Sequence, residues 1–344
     1  MLRTLIVDDS RVFRTILAKA LEGHPAVKVV ASEFSGERGL ARLKEGGIDL
    51  VLLDMNMPGL SGLDFLKQMR TCPRPRPVVL VLSASYQGTE PEALEALSAG
   101  ASAFVPKNAA GPAGLMSTLQ DELARLGMSQ GRPSASRSKR RQPTRSAESI
   151  ALGEMVGIVS STGGPAALQV LLGGLDAKFD VPIAIVQHLP SGFAPSMAAN
   201  LTRRTGREVK IASHGDRLVP GSIFVAPGDK HLEIARDGAG LICKLVRGPK
   251  ENGCCPAGDR MIRTAARATG GRMAGVCLTG MGCDGASGLL ELSQLGGQVI
   301  VQDERSSIVW GMPSSVLDAG VPAIVLPLEG ISASLNRKAN RKAA

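Results

Sequence analysis

One feature constrains this chain more than any other: short β-branched or Leu-rich runs alternate with stretches of helical periodicity, and they do so in two separate blocks. In the first block the runs are "TLIVDD", "VKVVAS", "IDLVLLD", "PVVLVLSA" and "AFVPK". Between the first two lies "SRVFRTILAKALEG", where Val12, Phe13, Ile16, Leu17, Ala20 and Leu21 share a face and Gly23 ends the pattern. Strands that are apolar throughout and separated by amphipathic helices belong to a parallel sheet covered on both faces. The order βαβαβαβαβα predicts a five-stranded, doubly wound α/β domain.

The second block repeats the logic. Strand "MVGIVS", helix "PAALQVLLGGL", strand "VPIAIVQH", helix "APSMAANLTRRTG" and strand "VKIA" follow one another. "GSIFVAPG", "KHLEIAR" and "LICKLVR" are then closely spaced and joined by turns such as "DGAG", so an antiparallel ribbon is expected there. Helix "DRMIRTAARATG", strand "RMAGVCLT", helix "GASGLLELSQLG", strand "GQVIVQD", helix "SSVLDAG" and a short run "AIVLPL" complete a mainly parallel α/β domain.

Between the blocks, "GMSQGRPSASRSKRRQPTRSAES" has almost no apolar residues. It cannot bury enough surface to offset its ordering entropy and reads as a flexible basic linker. The expected division is therefore 1–122, a linker 123–150, a second domain 151–335 and a basic tail 336–344. The formal net charge of +9 sits in the linker and the tail, which together carry the whole excess. Placed there, it argues for solubility rather than for a nucleic-acid interface, and no nucleic-acid partner is expected. No apolar run approaches the ~20 residues of a membrane span, so no membrane insertion is expected. The N-terminus lacks a signal-peptide pattern, and the six cysteines are scattered with no pair at zinc-ligand spacing. A reduced, cytoplasmic protein is expected.

Chemistry-bearing residues gather at strand ends. Asp8 and Asp9 end the first strand and Asp54 the third, and in a doubly wound sheet these strands are neighbours whose carboxyl ends form a ligand cleft. Three carboxylates that close repel one another unless a cation intervenes, and an all-oxygen set suits Mg²⁺. Ser83 and Lys107 end the fourth and fifth strands, where a hydroxyl and a point cation could meet a phosphoryl group. Any one of these residues alone is an ordinary cap or surface charge; their convergence is not. "LIVDDS", "LLDMNMPGLSG", "VLSA" and "FVPK" resemble the flavodoxin-like receiver domain of two-component response regulators. The resemblance implies that Asp54 accepts a phosphoryl group, that Asp8, Asp9, Asp54 and Asn56 hold Mg²⁺, and that Ser83, Phe104 and Lys107 form the switch. One departure is that Pro106 precedes Lys107, where receivers have proline after the lysine.

In the second block, "MVGIVSS", "VPIAIVQH" and "RMAGVCLT" bring serines, His188 and, just beyond "GMGCDG", Asp284 to one carboxyl-terminal edge. Serine, histidine and aspartate on three strand ends make a candidate triad of nucleophile, general base and orienting acid. Alternatively, a serine or Gly164 caps the helix opened by Pro165, and Asp284 caps the helix after it. Spacing does not choose between Ser160 and Ser161. "SSTGGPAAL", "QHLPSGFAPSMAANL", "PGSIFVAPGDKHLEI", "LTGMGCDGASGL" and "QDERSSIVWGMPSSVLDAG" resemble the catalytic domain of the chemotaxis protein-glutamate methylesterase (CheB) family. Matched to it, Ser161 is the nucleophile, His188 the base, Asp284 the orienting acid, and the Met281 N–H an oxyanion-hole donor. "CCPAGDRMI" departs from the more apolar stretch of that family.

The resemblance implies a phosphorylation-activated serine esterase. It would hydrolyse glutamate methyl esters on chemoreceptors and deamidate receptor glutamines, with a chemotaxis histidine kinase as phosphodonor. Mg²⁺ would serve the receiver, and hydrolysis would need no cofactor. The rival classes are a regulator with a nucleic-acid-binding output and an adaptor that keeps the fold without catalysis.

Overall fold

The computed structural model describes every residue except 23, 70, 73–75, 84–90, 108–110, 126–151, 190, 191, 239 and 340–344. The expected linker beyond Arg125 and the last residues of the expected tail lie outside the described residues. The chain divides into two compact units, Met1–Ser138 and Lys139–Ala344.

In the first unit, β1 (Leu2–Val7), β2 (Val27–Glu33), β3 (Leu50–Asp54), β4 (Val78–Ser83) and β5 (Ala103–Pro106) alternate with α1 (Arg11–Leu21), α2 (Gly36–Lys44), α3 (Gly62–Met69), α4 (Pro91–Ala99) and α5 (Gly111–Arg125). The strands form one parallel sheet in the order β2-β1-β3-β4-β5. Leu50, Val51, Leu52 and Leu53 of β3 are completely buried, as a central strand with helices on both faces requires. Ser10 opens α1 by accepting a hydrogen bond from the Phe13 N–H. Leu17 and Leu21 bury the expected face, but Val12, in the first turn of α1, is 70% exposed.

The second unit holds β6 (Val156–Ser160), β7 (Ile183–Gln187), β8 (Lys210–Ile211), β9 (Ile223–Val225), β12 (Ala274–Cys277), β13 (Gln298–Gln302) and β14 (Ile324–Leu326) in one sheet. Its order is β14-β13-β12-β6-β7-β9-β8, parallel throughout. The helices are α6 (Gly164–Gly173), α7 (Phe193–Thr205), α8 (Gly258–Thr269), α9 (Ala286–Gln294), α10 (Gly311–Asp318) and α11 (Leu328–Ala339).

Two expectations are corrected. The antiparallel ribbon contains only β10 (His231–Asp237) and β11 (Gly240–Val246), whereas "GSIFVAPG" supplies β9, which pairs parallel with β7 and β8. The buried run Ile223, Phe224 and Val225 earns a place inside the main sheet, where both faces are covered. The chain from Leu328 is also helical, reaching into the expected tail. Leu328, Ile331 and Leu335 bury one face of α11, and Asn336 donates to the Gly174 carbonyl while accepting from the Asp176 N–H.

The topology positions the site. β6 is the first strand of its sheet; β7 lies on one side and β12 on the other. The winding direction reverses between β6 and β12, and ligands bind beyond the carboxyl ends of strands at such a switch point.

Candidate active site

Ser160 pairs with Gln187 across β6 and β7, so Ser161 and His188 are the next residues out on neighbouring strands. The His188 N–H donates to the Ser160 carbonyl at 3.0 Å. The His188 Nε2 and Asp284 Oδ2 are 2.7 Å apart, both side chains buried. Asp284 does not cap the following helix: Gly285 precedes α9 without a side-chain bond. Its carboxylate instead accepts the Gly258 N–H at 2.6 Å and the Asp259 N–H at 2.9 Å, two amides of the first turn of α8. Burial alone would push the Asp284 carboxyl up; the imidazole and these amides outweigh it and hold the carboxyl below its usual range. Burial alone would likewise lower the His188 pKa, but Asp284 and Cys254 outweigh it and push it well above its ordinary value.

The two serines differ. The Ser160 hydroxyl donates to Gln187 Oε1 at 2.7 Å and is completely buried. Neither serine caps α6, whose N-cap is Gly163 in the left-handed region at φ 77°. The Ser161 hydroxyl makes no hydrogen bond among the described residues, including none to the imidazole. His188 Nδ1, the nitrogen that Asp284 leaves open, faces Cys254 Sγ at 3.7 Å. Structure thus brings His188 and Asp284 together and sets Ser161 beside them on the adjoining strand end, unbonded.

Met281 lies in the segment that follows β12. Gly280 makes the approach possible: a Cβ there would run into Met312 Sδ and lie 2.8 Å from Ser161 Cβ. Thr279 ties the segment down, accepting the Val309 N–H at its hydroxyl and donating that hydroxyl to the Thr162 carbonyl.

In the first unit, ligand oxygens of Asp8, Asp9 and Asp54 all lie within 4.8 Å of one another, with Asp8 and Asp54 buried. Lys107 Nζ is 2.7 Å from Asp54 Oδ2 and 2.7 Å from Asp8 Oδ2, the second an ion pair rather than an aligned hydrogen bond. Pro106 therefore does not keep Lys107 from the cleft. The Lys107 N–H donates to the Ser83 carbonyl, and Nζ stands 4.8 Å from the Phe13 ring centroid, a cation–π contact. Burial pushes the Asp54 carboxyl up, Lys107 draws it back, and the Asp8 charge raises it further. The Asn56 N–H donates to Asp54 Oδ1 at 3.3 Å. Phe104 is buried on β5, opposite Val81 of β4.

Sequence reasoning missed several residues that organise the edge. Gln187 Nε2 donates to the carbonyls of both Ser161 (2.9 Å) and His188 (2.8 Å) while its oxygen holds Ser160. Asp259 accepts from the Gly288 N–H and from Asn252 Nδ2, each at 2.6 Å. Burial pushes its carboxyl up to about 6, against the Gly288 N–H and with the neighbouring Asp284 charge. Only the adjacency of Gln187 to His188 was a signal; the contacts of Cys254 and Asp259 cross long stretches of chain. His214 and His231 are structural. His214 Nδ1 accepts the Leu245 N–H, and His231 bridges the Pro249 carbonyl and the Ala257 N–H.

Residues 156–335 match the CheB methylesterase family, and residues 4–120 match the response regulator receiver domain. A protein-glutamate methylesterase/protein-glutamine glutaminase of Azospirillum brasilense is 34% identical, the match spanning 99% of this chain and 93% of that protein. The second protein of that name from Caulobacter vibrioides is 37% identical, with 96% of each chain covered. The crystal structure of the Thermotoga maritima CheB methylesterase catalytic domain superposes with a TM-score of 0.53 at 37% identity, covering 54% of this chain and 98% of that one. With the esterase match extending over more than half of its length and a receiver preceding it, the chain belongs to the CheB methylesterase family.

Proposed function

We propose that this protein is a phosphorylation-controlled protein-glutamate methylesterase and protein-glutamine glutaminase acting on chemoreceptors. Ser161 is its nucleophile, His188 its base and Asp284 its orienting acid. The observation that carries the reading is the buried His188–Asp284 pair, anchored on α8 amides at the strand edge that also carries Ser161. The carboxylate fixes the imidazole and stabilises imidazolium as it forms.

In the reaction, Ser161 Oγ attacks the γ-carbonyl carbon of the glutamate ester and gives its proton to the imidazole nitrogen not held by Asp284. That nitrogen is Nδ1, so the ring must turn from Cys254 toward the serine; such bonds often tighten only with substrate bound. The tetrahedral oxyanion accepts the Met281 N–H, which donates to no carbonyl among the described residues; one such donor is worth about 2.7–4 kcal/mol. The ester C–O bond breaks and methanol leaves with the proton from His188. Water, deprotonated by the same imidazole, then releases the glutamate. With a glutamine substrate, ammonia leaves in place of methanol.

Control rests on the acidic cleft, with Asp54 as acceptor of a phosphoryl group from a chemotaxis histidine kinase. The Asp8, Asp9 and Asp54 oxygens and the Asn56 carbonyl suit Mg²⁺, a hard cation with oxygen ligands. When bound, Mg²⁺ would neutralise charge on the phosphoryl oxygens. Lys107 supplies a second cation there, and Ser83 and Phe104 change position with the acyl phosphate. The unphosphorylated receiver holds esterase activity down, and phosphorylation of Asp54 lifts that restraint. Six free cysteines accord with a reducing cytoplasm.

Methanol release from methylated receptor membranes tests the assignment in wild type, Ser160→Ala and Ser161→Ala, with and without a small-molecule phosphodonor. Loss confined to Ser161→Ala is expected; full activity in that variant would end the reading. Deleting residues 1–150 should leave activity above that of the unphosphorylated full chain, and an equal or lower rate would refute restraint by the receiver.

A further inference from the structure

Both nitrogens of His188 face groups that bind metals, and one of those groups, the Cys254 thiol, has no part in the proposed hydrolysis. Nε2 meets Asp284 Oδ2 at 2.7 Å, and Nδ1 meets Cys254 Sγ at 3.7 Å. Ligand atoms of His188, Cys254 and Asp284 all lie within 4.8 Å of one another, and all three residues are buried. We infer that His188 Nδ1 and Cys254 Sγ form a binding site for a thiophilic divalent cation such as Zn²⁺, and that its occupation blocks the esterase by capturing the base. The inhibitory consequence rests on His188 acting as that base; the binding itself does not.

The separation suits the ion. Zinc binds thiolate sulfur at about 2.3 Å and imidazole nitrogen at about 2.0–2.1 Å, which at a tetrahedral angle places the two ligand atoms ~3.6 Å apart. The observed 3.7 Å is that edge without rearrangement. Asp284 then sits where metal-binding histidines have a carboxylate, accepting the opposite ring N–H and fixing the tautomer that leaves Nδ1 free to coordinate. On binding, the Cys254 thiol and the Nδ1 of the protonated His188 ring each give a proton to solvent, so uptake of the ion strengthens as pH rises. The resulting thiolate and the Asp284 carboxylate together balance a divalent charge.

The thiol is held in place before any ion arrives. Glu251 and Cys254 exchange both backbone hydrogen bonds, at 3.0 and 2.9 Å, around Asn252 (φ 51°) and Gly253 (φ 75°). Two left-handed residues in Asn-Gly make a tight type I′ turn, which few other sequences adopt readily. Asn252 Nδ2 fastens the turn to Asp259, whose own N–H holds Asp284. Cys254 and Asp284 are thus fixed to one scaffold around the imidazole. Ser161 or water can complete the coordination sphere.

The test uses the full-length protein with Mg²⁺ in excess, so that the receiver carboxylates compete for hard cations only. Co²⁺ is titrated as a spectroscopic probe, and Zn²⁺ is titrated into the methanol-release assay. Wild type should show a near-ultraviolet thiolate-to-cobalt charge-transfer band and be inhibited by Zn²⁺, with recovery on adding a zinc-selective chelator. Cys254→Ser should lose the band and need at least ~10- to 100-fold more Zn²⁺ for the same fractional inhibition, the range that losing even an outer partner costs. Cys283→Ser should keep both properties. Should Cys254→Ser fail to fold, zinc-edge X-ray absorption on the wild type must show a sulfur neighbour at about 2.3 Å. A shell of nitrogen and oxygen alone, a band that survives Cys254→Ser, or one that vanishes in Cys283→Ser would overturn the site. Ser161→Ala should retain the cobalt band. If that variant is still active while the band behaves as expected, the nucleophile assignment fails and the metal site stands.

Discussion

Replacing Gln187 by Met isolates the contribution of one buried amide to the esterase edge. The side chain keeps its length and volume but loses three hydrogen bonds: from Ser160 Oγ, to the Ser161 carbonyl and to the His188 carbonyl. The Ser161 carbonyl retains the Gly164 N–H at 2.8 Å. Among the described residues, the Ser160 hydroxyl and the His188 carbonyl are then left buried without a partner. At about 1–3 kcal/mol for each such group, the variant should lose roughly 2–6 kcal/mol of stability. That is a large share of the ~5–15 kcal/mol by which a typical domain is stable. The loss should appear as an earlier denaturant midpoint in the intact protein. Catalysis should suffer more than binding, because the lost bonds hold the backbone on either side of the proposed proton transfer. A misplacement of about 1 Å there costs on the order of 10²-fold, so kcat should fall while KM changes little. Adding Ser160→Ala removes one orphaned hydroxyl and should restore part of the stability but none of the kcat. A Gln187→Met protein that loses less than ~1 kcal/mol and keeps its kcat would refute the clamp.

Other outcomes follow from the same coordinates. Gly164→Ala would put a Cβ onto the Gln187 amide oxygen, so it should lower both the melting temperature and kcat. Because the His188 pKa is raised, the neutral base accumulates only as pH climbs, and kcat/KM should rise with pH through that value. Cys254→Ser removes one of the raising groups and should move the inflection to lower pH; an unmoved profile would be evidence against Cys254 as a cause. Linkage gives opposite signs for the pair. The raised His188 pKa contributes stability that is full below its ordinary value and is lost as pH rises through the folded value. The lowered Asp284 pKa contributes stability that is lost as pH falls through its folded value. In the receiver, Lys107→Met removes the cation between Asp8 and Asp54 and should slow phosphoryl uptake from a small-molecule donor, as should chelating Mg²⁺.

Much of the molecule was legible without coordinates, for a reason that differs by level. Alternating apolar strands and amphipathic helices demand a parallel sheet covered on both faces, and parallel βαβ units carry every strand's carboxyl end to one edge. Asp8 and Asp54 in the first unit, and Ser161 and His188 in the second, each sit at or just after the end of an apolar run, so the edge that each pair shares within its own sheet could be read from one dimension. What strand periodicity cannot reveal is how a strand is used once its apolar residues are spent. The run at Ile223–Val225 is as apolar as a ribbon strand, and only its parallel pairing with β7 excludes it from the ribbon. The helix from Leu328 carries only a short apolar stripe, Leu328, Ile331 and Leu335, and continues into the basic residues Arg337 and Lys338, so local periodicity does not mark where it ends.

The sequence by itself determined two α/β units, the edges at which their chemistry lies and the kinds of side chain found there, because local periodicity and chain order decide these. Tertiary structure alone decided which serine is engaged by Gln187, that the α8 amides hold Asp284, and that Cys254 meets His188 across 66 positions of chain. Those contacts depend on where loops return in three dimensions, and loop paths are set by packing and hydrogen-bond satisfaction over the whole unit rather than by any local pattern.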